Sequence, residues 1–231
     1  MSGDLFKIID DIPVSPTIHF YRIEPSDIGL RKTLTDIFYS LSQLCWLSHF
    51  DGSFLKDSYE TRAKGTLNYI LNNVLMGSSD KSTGEAGEYI VSELSRQAIV
   101  MQKHYSDIPL GELIKQKVAG NPGFDFFTKN LSDVILFAEA KYNSSQNAYG
   151  IAMRQINDFI NEKKDIADLP DIEKFVGSEA CAKVSRGEKG FVAAFAAKNI
   201  PTSELLKNIQ NNNDFKALSK YQELICVAVN V

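Results

Sequence analysis

Two residues of opposite charge, Glu139 and Lys141, stand near the end of the apolar run DVILFAEAKY. Side chains alternate between the two faces of a strand, so these two groups share one face, while Ala138 and Ala140 point to the other. Ionised side chains in an otherwise apolar strand are costly unless they are paired or bind a metal ion. The pattern therefore favours a functional site over a strand that merely ends at a solvent-exposed edge.

Another acid, Asp125, lies upstream in the apolar segment GFDFF, and the polar stretch TKNLS separates the two apolar runs. This arrangement is typical of a β-hairpin. A turn near residues 130–131 places Asp125 roughly opposite Phe137. Glu139 is then the diagonal neighbour of Asp125, at about 7–8 Å. The hairpin is expected to bring both acids within reach of one ion.

The oxygen atoms of this predicted site suit a hard divalent cation. The carboxylates of Asp125 and Glu139, together with the backbone carbonyl of Ala140, are ligands that Mg²⁺ or Mn²⁺ accepts alongside water and phosphate oxygens. Such an ion polarises a phosphate group and lowers the pKa of a bound water, and Lys141 would orient that water or stabilise the developing charge. The residue types therefore predict phosphodiester hydrolysis.

At this point the segment resembles the PD-(D/E)XK nuclease superfamily, in which GFD would supply Asp125 and EAK would supply Glu139 and Lys141. The resemblance covers about residues 84–231. It implies an α/β restriction-endonuclease-like core, with a central mixed sheet flanked by helices, and a magnesium- or manganese-dependent deoxyribonuclease. RNA is the less favoured substrate.

The resemblance also implies a metal-binding acid on the first core helix, where GEAGEYIVSEL offers Glu85, Glu88 and Glu93. We assign Glu88 because it fits the family-like arrangement G-E-x-x-V-x-x-L. A helical wheel disagrees, since it places Glu93 beside the apolar stripe and Glu88 nearly opposite to it. A solvated helix face remains the alternative for all three acids.

A glutamine on the helix after the hairpin, Gln155, lies in an apolar stripe and must find polar partners there. It resembles the glutamine that RecB-like members of the superfamily carry at the active site, although Phe159 stands where those proteins usually have tyrosine. We predict a catalytic role for Gln155. A buried glutamine bonded to the backbone is the alternative.

The words RAKG, GEYIVSEL and GFDFF are similar to the nuclease subunit of Hachiman-type anti-phage defence systems, in which a small nuclease accompanies a helicase. This resemblance implies DNA and a helicase as partners. It also accounts for the net charge of −4. A nuclease that held DNA alone would usually present a basic face, and a partner that delivers the substrate removes that need.

The composition is that of an ordinary globular protein, because 44% of the residues are hydrophobic and 23% are charged. No apolar run approaches the roughly 20 residues that span a bilayer, and residues 1–7 lack the features of a signal peptide. We therefore expect a soluble cytoplasmic protein without a membrane anchor. The three cysteines lie far apart in apolar surroundings, which favours packing over a disulfide or a zinc site.

Along the chain, the pattern predicts an N-terminal extension and a nuclease core. The extension, residues 1–83, has a strand at 17–23, helices at 27–49 and 58–76 and a loop at 76–84. The core, residues 84–231, alternates helices and strands, which is typical of an α/β sandwich. Its helices are predicted at 85–104, 148–163 and 203–211, and its strands at 123–128, 133–142, 191–197 and 223–231.

Two other functions remain open at this point. One is a restriction- or repair-type nuclease that acts without a helicase, and the other is a regulatory binding subunit that keeps the nuclease fold without its activity. The presence of both acids and the lysine favours the enzymatic versions. The sequence does not distinguish endonuclease from exonuclease action, and it leaves strand preference and oligomeric state open.

Overall fold

The computed structural model describes residues 5–26, 30–50, 54–77, 80–115, 123–198 and 200–231 of the chain. Parts of two predicted segments, residues 27–29 of the first helix and 78–79 of the loop, lie outside these ranges. Within the described residues, no helix combines the length and the apolar character that crossing a membrane requires.

Six strands form one mixed sheet. They are β1 (Phe6–Ser15), β2 (Ile18–Pro25), β3 (Phe126–Lys129), β4 (Ile135–Lys141), β5 (Gly190–Ala197) and β6 (Leu224–Asn230). The strand order is β1-β2-β6-β5-β4-β3, with the two outer pairs antiparallel and the three inner pairs parallel. The inner strands β4, β5 and β6 are buried almost throughout, which explains why their sequences are continuous apolar runs.

Helices cover the sheet. They are α1 (Leu30–Ser42), α2 (Phe54–Tyr69), α3 (Asp80–Lys103), α4 (Gly111–Ile114), α5 (Tyr149–Asn161), α6 (Lys164–Ala167), α7 (Leu169–Val176), α8 (Ser178–Ser185), α9 (Thr202–Asn211) and α10 (Asn213–Leu218). A 3₁₀ turn follows α1 at Cys45–His49, and a π-helical segment, Ile70–Leu75, continues α2. The predicted α/β class, with a mixed sheet flanked by helices, is confirmed. The predicted core order is also confirmed, with the short helices α4 between α3 and β3, α6 to α8 between α5 and β5, and α10 between α9 and β6 added to it.

Helix α3 is the central helix of the molecule. It packs against β3, β4, β5 and β6 as well as α1, and its residues Ile90, Leu94 and Ala98 are fully buried. The loop predicted at 76–84 is wrong in its second half, because α3 already begins at Asp80. A single glycine such as Gly84 costs a helix only about 1 kcal/mol, which the packing of the long helix offsets.

The N-terminal hairpin β1-β2 belongs to the same sheet as the predicted core, since β2 pairs with β6 over Ile18–Ile23. Arg22 on β2 stabilises this pairing, because its side chain donates to Asn230 Oδ1 at 2.9 Å and to the carbonyl of Ile200 at 2.7 Å. The boundary proposed between residues 83 and 84 falls within α3 and stays a prediction. All three cysteines are free. Cys226 is buried as expected, whereas Cys45 is exposed and packing does not explain it.

Candidate active site

The register of the hairpin β3-β4 differs from the predicted register by two residues. Phe127, and not Asp125, lies opposite Phe137. The connection is longer than the turn we predicted, because Asn130 holds a loop in which its side-chain oxygen accepts from the amide of Val134 at 2.9 Å. The backbone amide of Asn130 also donates to the carbonyl of Val134 at 3.0 Å. This loop moves the centre of the hairpin one residue towards the C-terminus.

The even shift leaves the side chains of the paired residues on their predicted faces. Asp125 lies just before β3, where its amide donates to the carbonyl of Ala138 at 2.9 Å, although Ala138 is the residue that faces Phe126 in the strand pairing. Its carboxylate oxygen Oδ2 accepts from the amide of Ala140 at 2.7 Å. Asp125 is therefore fixed to β4 by its backbone and by its side chain.

Lys141 joins the acids of two elements. Its Nζ atom lies 2.7 Å from Glu139 Oε1 and 3.5 Å from Glu88 Oε1. Glu139 and Lys141 stand on the same face of β4, as the alternation predicted, and Glu88 reaches them from α3. The structure therefore brings together Glu88, Asp125, Glu139 and Lys141. Ala140 lies among them, with its amide on Asp125, while the metal-binding role of its carbonyl stays a prediction.

A glycine next to Glu88 allows α3 to approach the end of β4. A methyl group on Gly87 would overlap the ring of Tyr142, whereas one on Gly84 would meet no atom within 4 Å. Both glycines lie in α3. The contact between Glu88 and Lys141 therefore depends on the absence of a side chain at position 87.

Replacing Gly87 by alanine is expected to lower the free energy of unfolding by about 1–3 kcal/mol, since the new methyl group overpacks the contact with Tyr142. The matched change Gly84→Ala, on the same helix, is expected to be neutral or to stabilise by up to about 1 kcal/mol. Urea denaturation of the two variants measures the difference. Equal stabilities would contradict the close approach of α3 to β4.

The other two acids considered on this helix have different partners. Glu93 is buried and ion-paired with Arg96 at 2.7 Å, and it also accepts from Gln97. Glu85 accepts from the hydroxyl of Tyr69 at 3.0 Å. Of the three candidates, Glu88 is the one that contacts Lys141. The helical wheel agrees with the burial of these two acids, because Glu93 is 1% exposed and the Glu88 side chain is 44% exposed, but burial alone does not identify the acid that contacts Lys141.

A cleft of about 300 Å³ opens beside these residues. Its lining is mostly polar and comprises Tyr69, Glu85, Glu88, Tyr89, Ser92, Leu110, Glu112 and Asp125. Glu112, on α4, was not among the predicted site residues. Nothing in the spacing of the segment LGELI indicates a site, because Glu112 reaches the cleft only through the packing of α4 against Asp125.

That packing again depends on a glycine. The amide of Gly111 donates to the carbonyl of Asp125 at 2.7 Å, and a methyl group on Gly111 would stand 2.7 Å from the carbonyl oxygen of Phe124. The backbone of Glu112 is held by Thr66, whose hydroxyl donates to its carbonyl at 2.6 Å. The Glu112 carboxylate accepts from the hydroxyl of Tyr89. Helix α4 therefore adds a further acid to the wall of the cleft.

The electrostatics of the site are those of crowded acids, of which Glu139 is buried while Asp125 and Glu88 are partly exposed. Burial raises the pKa of Asp125 to about 6, against the opposing effect of Lys141. Burial and then the charge of Asp125 raise the pKa of Glu139 well above its ordinary value, and burial also raises the pKa of Glu88. Burial acts to lower the pKa of Lys141, but the charge of Glu139, with those of Asp125 and Glu88, raises it above its ordinary value. Negative charge is thus in excess.

The donor set fits a divalent cation. The Oε2 atom of Glu139 is buried and has no hydrogen-bond partner among the described residues. Within the described part of the chain, Lys141 is the one cation whose charge acts on Glu88, Asp125 and Glu139. Three carboxylates to one ammonium leave two negative charges when all are ionised, which a divalent cation would balance. As the side chains stand, no three His, Cys, Asp or Glu residues in the described ranges already form a metal cluster.

Gln155, the remaining predicted site residue, lies on α5 and is partly exposed. It is not among the residues that line the cleft. Within the described residues, no side-chain hydrogen bond connects it to the acids or to Lys141. The structure thus does not bring Gln155 to the other candidates, and its catalytic role stays a prediction.

The fold and the site together define an α/β protein that carries an acid-lysine hairpin at one end of a mixed sheet. Comparison of the chain with protein-family models and with curated proteins found no match.

Proposed function

We propose that this chain is a divalent-metal-dependent nuclease of the PD-(D/E)XK type, which hydrolyses phosphodiester bonds of DNA. One observation supports the proposal above all others. Lys141 is placed between Glu139 and Glu88, while Asp125 is fixed beside them by the amide of Ala140. Acids from a hairpin and a helix, gathered around one lysine at a polar cleft, suit the hydrolysis of a phosphate diester.

Each residue has a distinct task in this proposal. Asp125, Glu139 and Glu88 would hold Mg²⁺ or Mn²⁺, and Asp125 would do so through Oδ1, since Oδ2 already accepts from Ala140. When bound, the ion would polarise the scissile phosphate and lower the pKa of a coordinated water. Lys141, which its acidic neighbours keep charged, would stabilise the negative charge that develops on the phosphate.

The arrangement of elements also supports the finer description of the fold. Helix α3, the hairpin β3-β4, helix α5 and strand β5 follow one another in the order expected of a restriction-endonuclease-like core. The role in anti-phage defence, the helicase partner and the cytoplasmic location stay predictions. The net charge of −4 is a reason to expect help from a partner in binding DNA.

The proposal is tested by incubating the purified chain with plasmid DNA, linear duplex DNA, single-stranded DNA and RNA. We expect cleavage of DNA in the presence of Mg²⁺ or Mn²⁺ and none when the metal is chelated. The same substrates are also tested with the product of any neighbouring helicase gene. Failure to cut any substrate, with or without that helicase, would contradict the nuclease and favour a regulatory binding subunit.

Replacing Lys141 by methionine is expected to lower the cleavage rate by about a hundredfold or more, because the developing charge loses its cation. Lys129 offers a matched control in the same hairpin. Its side chain is 22% exposed, against 16% for Lys141, and it pairs with Asp133. Lys129→Met is expected to keep near-normal activity. Similar rates for the two variants in a metal-saturated assay would exclude Lys141 from the chemistry.

A further inference from the structure

The backbone of Phe124, the residue just before Asp125, is held by two charged side chains from distant parts of the chain. Asp168, between α6 and α7, accepts from the amide of Phe124 at 3.1 Å, and Lys115, after α4, donates to the carbonyl of Phe124 at 2.6 Å. Lys115 and Asp168 also pair with each other at 3.3 Å. We propose that Asp168 and Lys115 are positioning residues that hold the carboxylate of Asp125 in place. This inference rests on the proposed metal site.

The ring, the amide and the carbonyl of Phe124 all have close contacts. Its ring is fully buried, with centroid distances of 5.2 Å to both Phe137 and Phe159. Its amide and carbonyl are satisfied by Asp168 and Lys115 instead of by a neighbouring strand. Without these two side chains, the amide and the carbonyl of the buried Phe124 would lose their partners, which costs about 1–3 kcal/mol for each group. We would then expect the backbone at Phe124 to shift.

Any such movement would be transmitted directly to Asp125, because it is the next residue. Its Oδ2 atom receives the amide of Ala140 at 2.7 Å, just beyond the end of β3, where the ladder of strand hydrogen bonds stops. The amide of Ala140 therefore reports on the position of the Asp125 carboxylate. A role limited to general stability would not expose this one amide selectively.

A neighbouring ion pair provides a matched control. Arg62 on α2 lies 3.4 Å from Asp171 on α7 and also donates to the carbonyl of Ile114, so this pair joins α2 and α7 next to the end of α4. Unlike Asp168, Asp171 makes no hydrogen bond with Phe124. Asp171→Ala therefore removes a neighbouring ion pair without releasing the backbone of Phe124.

The first test is amide hydrogen exchange followed by NMR, residue by residue, without added metal. In Asp168→Ala we expect the amides of Phe124 and Ala140 to exchange about tenfold faster or more. In Asp171→Ala both are expected to exchange at the wild-type rate. Asp168→Asn, which keeps an oxygen acceptor for the Phe124 amide, should restore much of the protection. If the alanine variant folds poorly, Lys115→Met, which removes the donor to the Phe124 carbonyl, is measured in its place and is expected to lose protection at Ala140. Unchanged protection of Ala140 in Asp168→Ala, or in Lys115→Met in its place, would overturn the proposal.

The second test is Mn²⁺ affinity, measured by electron paramagnetic resonance of the free ion. We expect Asp168→Ala and Lys115→Met to bind Mn²⁺ about 10- to 100-fold more weakly, as for other residues that orient a metal ligand, and Asp171→Ala to bind normally. Normal affinity in the first two variants would overturn the positioning role. If the wild type binds no Mn²⁺ while Ala140 loses protection as expected, the positioning of Asp125 stands and the proposed nuclease fails.

Discussion

Replacing Glu139 by glutamine is expected to lower the rate of DNA cleavage by about a thousandfold at saturating Mg²⁺. Glutamine keeps the shape of the side chain but removes the charge that faces Asp125 and Lys141. Glu139 Oε1 pairs with Lys141 at 2.7 Å, and the buried Oε2 atom has no hydrogen-bond partner among the described residues. A neutral amide would pair less strongly with Lys141 and would bind a divalent cation less strongly than the carboxylate. Initial rates on linear duplex DNA measure the effect.

Glu93 is the matched control for this experiment. Both glutamates are 1% exposed and both are ion-paired, but Glu93 pairs with Arg96 away from the hairpin. Glu93→Gln is expected to lower stability, because it leaves Arg96 with less compensation, and to keep the cleavage rate per folded molecule. Cleavage by Glu139→Gln within tenfold of the wild type would remove Glu139 from the reaction.

The sequence predicted that Asp125, Glu139 and Lys141 lie together, because this depends on the alternation of side chains between the two faces of a strand. The pairing register was wrong by two residues, yet a strand that slips by an even number keeps each side chain on the same face. Asp125 and Glu139 therefore met despite the error. The length of the connecting loop could not be read off, because it depends on the side chain of Asn130 folding back onto the backbone.

Contacts between distant segments were beyond the sequence pattern. Asp168 and Lys115 are 53 residues apart, and no periodicity connects them to each other or to Phe124. Glu112 is likewise placed by the contact of Gly111 with the backbone of Asp125. Local rules predict which face a residue takes, but they do not predict which helix will cover that face.

The edge strand β1 was missed for a different reason. Its sequence FKIIDDIPVS contains two aspartates and a proline, residue types that strands usually avoid. Its burial alternates weakly, as befits an edge strand, and its pairing with β2 has two irregularities. Pairing with β2 therefore determines this strand more than intrinsic propensity does.

Because the pKa of Asp125 is raised, a substitution at this residue is expected to have a large effect on the stability of the fold, which can be measured without any substrate. An aspartate in the unfolded chain has a pKa of about 3.9, whereas burial raises the pKa of Asp125 in the folded protein to about 6. Between these two values the unfolded chain releases a proton that the folded chain retains. The contribution of Asp125 is therefore most favourable below pH 4 and is lost as the pH rises through 6, by roughly 3 kcal/mol.

The charged groups around Asp125 determine the sign of this effect. Burial is the largest cause that raises its pKa, Glu88 on α3 and Glu112 on α4 act in the same direction, and Lys141 and the amide of Ala140 oppose them. Because burial and the two acids outweigh the lysine and the amide, ionisation of Asp125 is less favourable in the metal-free folded protein than in the unfolded chain. A bound divalent cation would reverse this balance, since it interacts favourably with the ionised carboxylates.

Asp125→Asn is accordingly expected to be more stable than the wild type at pH 7.5 without metal, with a difference that vanishes near pH 4. The amide oxygen can still accept from Ala140, so the change removes charge and little else. Added Mn²⁺ should raise the melting temperature of the wild type and leave that of the variant unchanged. Asp165→Asn, at a buried aspartate paired with Lys189, should instead lower stability. Equal pH profiles of unfolding for the wild type and Asp125→Asn would show that folding does not raise the pKa of Asp125, and the case for a cation at this site would lose its physical basis.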